Sequence, residues 1–200
     1  MRSAALVSGL VVLLGACGDA ESTYVEEQSS GLFMRLPADW TVFQVEDGEP
    51  GGDPRVDLGF GPWSVLIDGA ERPNRAHGED ENPDEPVGTV QVVPLAMFQT
   101  PPPIAHASLR GFFTVDGSDP LEGTGIEDLE YEEIDRGDHW GNRISGTMRQ
   151  GGDTVRVSQL AFFDEDGKRV HLVRILCSLE CFEEHEAEID AALDSFTLEG

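Results

Sequence analysis

Residues 154 to 163, Thr-Val-Arg-Val-Ser-Gln-Leu-Ala-Phe-Phe, constrain the fold more than any other segment. Read with the period of a strand, Val155, Val157 and Ala161 point to one side and Leu160 and Phe162 to the other. A strand apolar on both faces belongs in the middle of a sheet covered on both sides. Its neighbours supply the rest of that sheet. Leu129 to Arg136, Trp140 to Gln150 and Arg169 to Cys177 are also strand-length runs. Gly151-Gly152-Asp153 and Asp164-Glu165-Asp166-Gly167-Lys168 carry the turn chemistry of antiparallel hairpins.

After the last of these runs the period changes. Phe182, Ile189, Leu193 and Phe196 recur at offsets that form one stripe of a helix from Leu179 to about Phe196. Ser178 is placed to cap its start, where Glu180, Glu183 and Glu184 favour the positive end of the dipole. Upstream, Leu32, Met34 and Leu36 alternate with Phe33 and Arg35 as a half-buried strand stopped by Pro37, and Trp40, Val42 and Val45 suggest a second. Trp63 to Ile67 and Val90 to Phe98 are strand-like. Pro101-Pro102-Pro103 precedes a helix over Ile104 to Phe113, with Ile104, Ala107, Ser108 and Phe112 on one face.

The N-terminus reads as an address. Arg2 precedes the uncharged run Ala4 to Leu14, long enough for a secretory signal and too short to span a bilayer. The run ends in Leu14-Gly15-Ala16-Cys17, which resembles the lipobox of bacterial lipoproteins. That resemblance implies cleavage before Cys17, lipidation of its sulfur, and a membrane anchor facing away from the cytoplasm. Residues 1–16 are then the signal peptide, and 17–30, small and polar, are the lipidated cysteine and a flexible tether. Residues 31–200 are one globular domain, with Gly-, Pro- and acid-rich loops at 46–57 and 68–88 that read as solvated insertions.

With 39 acidic against 13 basic side chains the formal charge is −26. Nucleic acid is excluded as a partner, because neutralising phosphates needs a basic surface. Simple electrostatic adhesion to anionic lipid is excluded for the same reason. A basic envelope protein is the partner such a charge would favour.

Catalytic and metal signatures are absent from the sequence. There is no GxSxG and no Gly-rich phosphate loop after a strand, and His77, His106, His139, His171 and His185 form no HExxH or paired-ligand spacing. His171 reads as a packed or edge residue, and His185 as facing water. The acids around His77 (Glu79, Asp80, Glu81, Asp84 and Glu85) could collect calcium, although a charge run is ordinarily a solvated loop. No enzymatic activity and no cofactor are expected. Cys177 and Cys181 sit at the junction of the last strand and helix. In an oxidising compartment they would close a small disulfide ring, and otherwise they are two buried thiols.

Two stretches carry a family resemblance. Leu36-Pro37 with Trp40, and Ile189 through Leu198 ending in Ser195-Phe196, resemble the PsbP-like family, including the LpqN-type lipoproteins of high-GC Gram-positive bacteria. The resemblance implies an α+β fold, an antiparallel sheet flanked by helices on both faces as an α/β/α sandwich. It implies a binding or assembly accessory of the envelope. The alternative carried alongside is a carrier of an apolar small molecule or lipid held between sheet and helix.

Overall fold

The computed structural model describes residues 22–45, 63–80, 82–98, 102–114, 117–123, 125–136, 139–150 and 152–198. The signal segment, Cys17 and the acidic stretch 46–57 lie outside them. Ten strands and two α-helices are described: β1 (Thr23–Glu27), β2 (Leu32–Leu36), β3 (Thr41–Val45), β4 (Trp63–Asp68), β5 (Val87–Pro94), α1 (His106–Arg110), β6 (Glu127–Arg136), β7 (His139–Gln150), β8 (Asp153–Phe163), β9 (Arg169–Ser178), α2 (Leu179–Asp194) and β10 (Thr197–Leu198). Seven strands form one antiparallel sheet in the order β3-β4-β5-β9-β8-β7-β6, and β1-β2-β10 form a smaller one.

The two-faced strand lies where its pattern requires. β8 sits between β7 and β9, with Leu160 and Phe162 in the core cluster on one face. Val155 and Val157, and Ala161 and Phe163, enter two clusters on the other face. The front face is covered by α2 and the small sheet. Phe182, Ile189, Leu193 and Phe196 pack there against Val65, Val90, Val173 and Ile175, and Phe196 stacks on Phe162 with ring centroids 5.7 Å apart. Ser178 caps α2, its Oγ accepting from the Cys181 N–H at 3.3 Å.

Leu32, Met34 and Leu36 alternate as buried residues with exposed Phe33 and Arg35. Pro37 accepts from the Trp40 N–H at 3.2 Å, and this turn drives the indole into the front core, where it is 2% exposed. The Ser195 hydroxyl accepts from the Arg35 N–H and also lies within hydrogen-bonding reach of the Arg35 carbonyl, both at 2.9 Å. It thereby occupies the backbone edge of β2 next to the pairing of Leu32 and Phe33 with β10.

Several expectations are corrected. Among the described residues the back face carries no flanking helix layer. Instead it is closed by the five-residue α1 and by 3-10 turns at Leu95–Met97 and Gly111–Phe113, so the fold is a largely antiparallel sheet and not an α/β/α sandwich. α1 lacks a side-chain cap and is too short to be stable alone, and its helical run breaks at Gly111. Consequently Ile104 is 53% exposed, and Leu109, Phe112 and Phe113 are the residues that pack. The adjacent phenylalanines enter separate clusters on either side of buried Arg174. The Arg174 guanidinium donates to the Phe112 carbonyl, to the Phe113 carbonyl at 2.9 Å and to Gln159 Oε1 at 2.7 Å.

The folded domain also begins before residue 31. Thr23–Glu27 is a strand paired with β2, and Val25, opposite Met34, is 2% exposed in the core. The loop after β4 is not simply solvated. Asp68 at its base is fully buried and accepts from the Ala70 N–H at 2.9 Å, the Asn74 N–H at 2.6 Å and His77 Nδ1 at 2.8 Å. Three donors to one carboxylate tie down the first half of the loop. The second half is held by the Ser178 N–H on Pro83 O, 2.9 Å, and the Gly69 N–H on Pro86 O, 2.8 Å.

Candidate functional site

The edge of the main sheet beyond α2 holds an open cleft of about 290 Å³, lined by β6, β7, β8 and one side of the helix. Its floor follows from register. Glu130 pairs with Ser145, and Ser145 pairs with Ser158, so two small hydroxyl side chains lie side by side on the front face. The neighbouring row places Glu132 beside Arg143. α2 supplies Phe182, Glu186 and Asp190 at four-residue intervals, one face of the helix turned to the cleft.

The two guanidinium groups are engaged within the protein. Arg143 bridges from the sheet to α2, with Nη2 at 2.5 Å from Asp190 Oδ1 and Nη1 at 3.1 Å from Asp194 Oδ1. Arg156 lies 3.5 Å from Glu130 Oε2 and stands over the Phe182 ring at 5.4 Å from its centroid. Ser145 Oγ donates to Glu130 Oε2 at 3.0 Å. Ser158 is 1% exposed, and its Oγ has no hydrogen-bond partner among the described residues. Glu130, Glu132, Glu186 and Asp190 outnumber Arg143 and Arg156, so the lining is net acidic.

Tyr131 marks the rim of the cleft. Arg110 Nη1 donates to its hydroxyl at 3.3 Å, and that hydroxyl donates to Glu133 Oε1 at 2.9 Å. Burial, reinforced by Glu133, raises the Tyr131 phenol above its usual range. Arg110 also grips Asp119 through Nε at 2.9 Å, holding that carboxyl below the ordinary aspartate range. This network anchors α1 and the following turn to β6.

Elsewhere, Leu160, Val173, Ile175, Phe182, Ile189 and Leu193 pack together between the main sheet and α2. A shallow hollow of about 660 Å³ opens at the other end of the sheet, beside Leu95, Ala96, Pro102 and Ile104. Tyr24 and Phe33 form an exposed aromatic pair, ring centroids 5.5 Å apart, on the outer side of the small sheet.

Cys177 and Cys181 are brought together at the junction of β9 and α2 with disulfide geometry, their Cα atoms 5.9 Å apart. The histidines remain dispersed. His171 is fully buried on the front face, and neither ring nitrogen has a partner among the described residues. Burial, with Arg169 adding, pushes its imidazole down to about 4. His185 is only partly exposed and does not simply face water: its Nδ1 lies 2.8 Å from Glu188 and its Nε2 3.6 Å from Glu85. Among the described residues no group of three His, Cys, Asp or Glu side chains is placed to hold a metal ion. No described helix is long and apolar enough to cross a membrane.

The sequence reading missed the cleft and its residues. The acids of α2 and β6 were visible, but their meeting with Ser145 and Ser158 depends on strand register, which no local motif encodes.

The antiparallel sheet, with one long helix and a small accessory sheet on its front face, is similar in fold to PsbP. The cyanobacterial PsbP protein CyanoP from Synechocystis sp. PCC 6803 shares it, with a TM-score of 0.57 and 13% identity over 93% of this chain and 99% of CyanoP. LpqN of Mycobacterium tuberculosis, described as involved in cell envelope biogenesis, superposes at a TM-score of 0.48 with 12% identity over 90% of this chain and 91% of its own. The Ran-binding protein Mog1p of Saccharomyces cerevisiae reaches 0.44 with 10% identity over 88% and 95%. No family model and no curated protein matches the chain.

Proposed function

We propose that this protein is a lipid-anchored, extracytoplasmic accessory of the cell envelope that binds or helps assemble a partner protein and performs no catalysis. The observation that carries this reading is the contrast between a front core packed shut under α2 and an open, net acidic cleft facing outward beside it. A front core filled by side chains among the described residues favours recognition at the surface over carriage of cargo beneath the helix. The anchor reading rests on Leu14-Gly15-Ala16-Cys17. β1 begins at Thr23, six residues beyond Cys17, and six residues can span at most about 20 Å, so an anchor at Cys17 would hold the domain close to the bilayer. The alternative, a carrier of an apolar molecule, is favoured by the shallow hollow beside Ile104 and by a smaller one of about 190 Å³ lined by Phe162, Phe196 and Leu198.

The test is native mass spectrometry of the protein extracted from its own membrane in mild detergent. A second polypeptide in the complex supports the accessory role, whereas apolar small-molecule mass without a polypeptide overturns it in favour of the carrier. Cys17→Ser should release the protein from the membrane fraction or block its processing. Unchanged membrane retention would defeat the lipoprotein assignment.

A further inference from the structure

We infer that the cleft between α2 and β6 receives a guanidinium or ammonium group, carried on an arginine or lysine side chain of the protein partner. The inference rests on the partner-binding reading and names the chemistry of the contact. Three observations converge on it. First, Ser158 is 1% exposed and lines the cleft with an Oγ that finds no partner among the described residues. A buried hydroxyl left without a hydrogen bond is costly, and a donor entering the cleft would relieve that cost. Second, the protein's own cations are already engaged, Arg143 by Asp190 and Asp194 and Arg156 by Glu130. The carboxylates of Glu132 on the β6 wall and Glu186 on the α2 wall have no hydrogen bond or ion pair with any described residue. The cleft therefore offers two carboxylates and a hydroxyl, all acceptors, to a group rich in N–H donors. Third, at about 290 Å³ the cleft lies at the lower limit of small-molecule sites. It suits one side chain, presented by a larger partner, better than a whole metabolite. An anionic ligand would meet the net acidic lining and be repelled.

Binding of an end-blocked peptide, Gly-Ser-Gly-Arg-Ser-Gly, to the lipidated full chain in detergent tests this, with the citrulline counterpart as the neutral isostere. NMR titration should shift the amide resonances of Ser158 and Glu186 saturably with the arginine peptide, and citrulline should bind about tenfold more weakly or not at all. Glu132→Gln with Glu186→Gln should weaken the arginine peptide about tenfold, and Ser158→Ala about threefold, while Glu180→Gln with Glu184→Gln should change it less than about twofold. The control pair removes the same charge from exposed positions outside the cleft. No saturable response, equal binding of citrulline, or equal weakening by the control pair would overturn the assignment. Such a failure would leave the accessory reading intact. That reading fails if apolar small-molecule mass is recovered from the membrane without a polypeptide partner.

Discussion

His171→Leu should remove about 2.5 kcal/mol of the acid sensitivity of this fold between pH 7.5 and 4.5. In the folded chain the imidazole is fully buried and unpaired among the described residues. Burial and Arg169 lower its affinity for a proton, partly offset by Asp164 and Glu27, and it titrates at about 4 against an ordinary 6.5. Below 6.5 the unfolded chain therefore binds more protons than the folded one. Stability is complete above pH 6.5 and falls as pH drops toward 4. At 1.36 kcal/mol per decade of proton affinity, the loss from pH 7.5 to 4.5 is about 2.5 kcal/mol. Asp119, held low by the Arg110 guanidinium, titrates at lower pH and falls outside this window. Leucine fills a similar volume without two nitrogens to satisfy, so the variant should lie within about 1 kcal/mol of the parent at pH 7.5. Urea unfolding followed by tryptophan fluorescence, repeated from pH 7.5 to 4.5, reads both effects. Parallel stability curves for parent and variant would refute the reasoning, as would an imidazole that titrates near 6.5 in the folded protein.

Trp40→Ala should destabilise the domain by about 3–5 kcal/mol, because the ring is 2% exposed in the front core, and an unchanged urea midpoint would deny that role. Gly141→Ala should cost about 1–3 kcal/mol or more, since a Cβ there would sit 2.2 Å from the Ala161 carbonyl oxygen; wild-type stability in thermal unfolding would contradict this contact. If Cys177 and Cys181 are bonded, reductant should lower stability by about 2 kcal/mol, the chain-entropy value for so short a loop, and identical unfolding with and without reductant would argue for free thiols.

Much of the architecture was legible in local patterns. The alternation in Leu32 to Leu36, the hairpin turns at 151–153 and 164–168 and the stripe on the last helix each agree with the element that forms. Their signals are strong because one face of each element is uniformly apolar. β1 was misread because Val25 is the one core residue in its five, too few to show a period. The back face was misread because Ile104 to Phe113 carries enough apolar residues for a helix. Yet its packing is decided by where Arg174 takes the carbonyls of Phe112 and Phe113.

The chain's own pattern thus determined which residues are strands, which are the final helix and which side of each is buried, since those depend on spacing along a few residues. Only tertiary structure decided what stands across from what. Strand register set Ser158 beside Ser145 and Glu130. The docking of α2 brought Asp190 to Arg143 and left the cleft open beside them. The packing of the front face buried His171, opposite Val92 and Phe162, with no partner among the described residues. Those pairings join residues up to 47 positions apart, as Arg143 and Asp190 are, and no local preference encodes a contact made at that range.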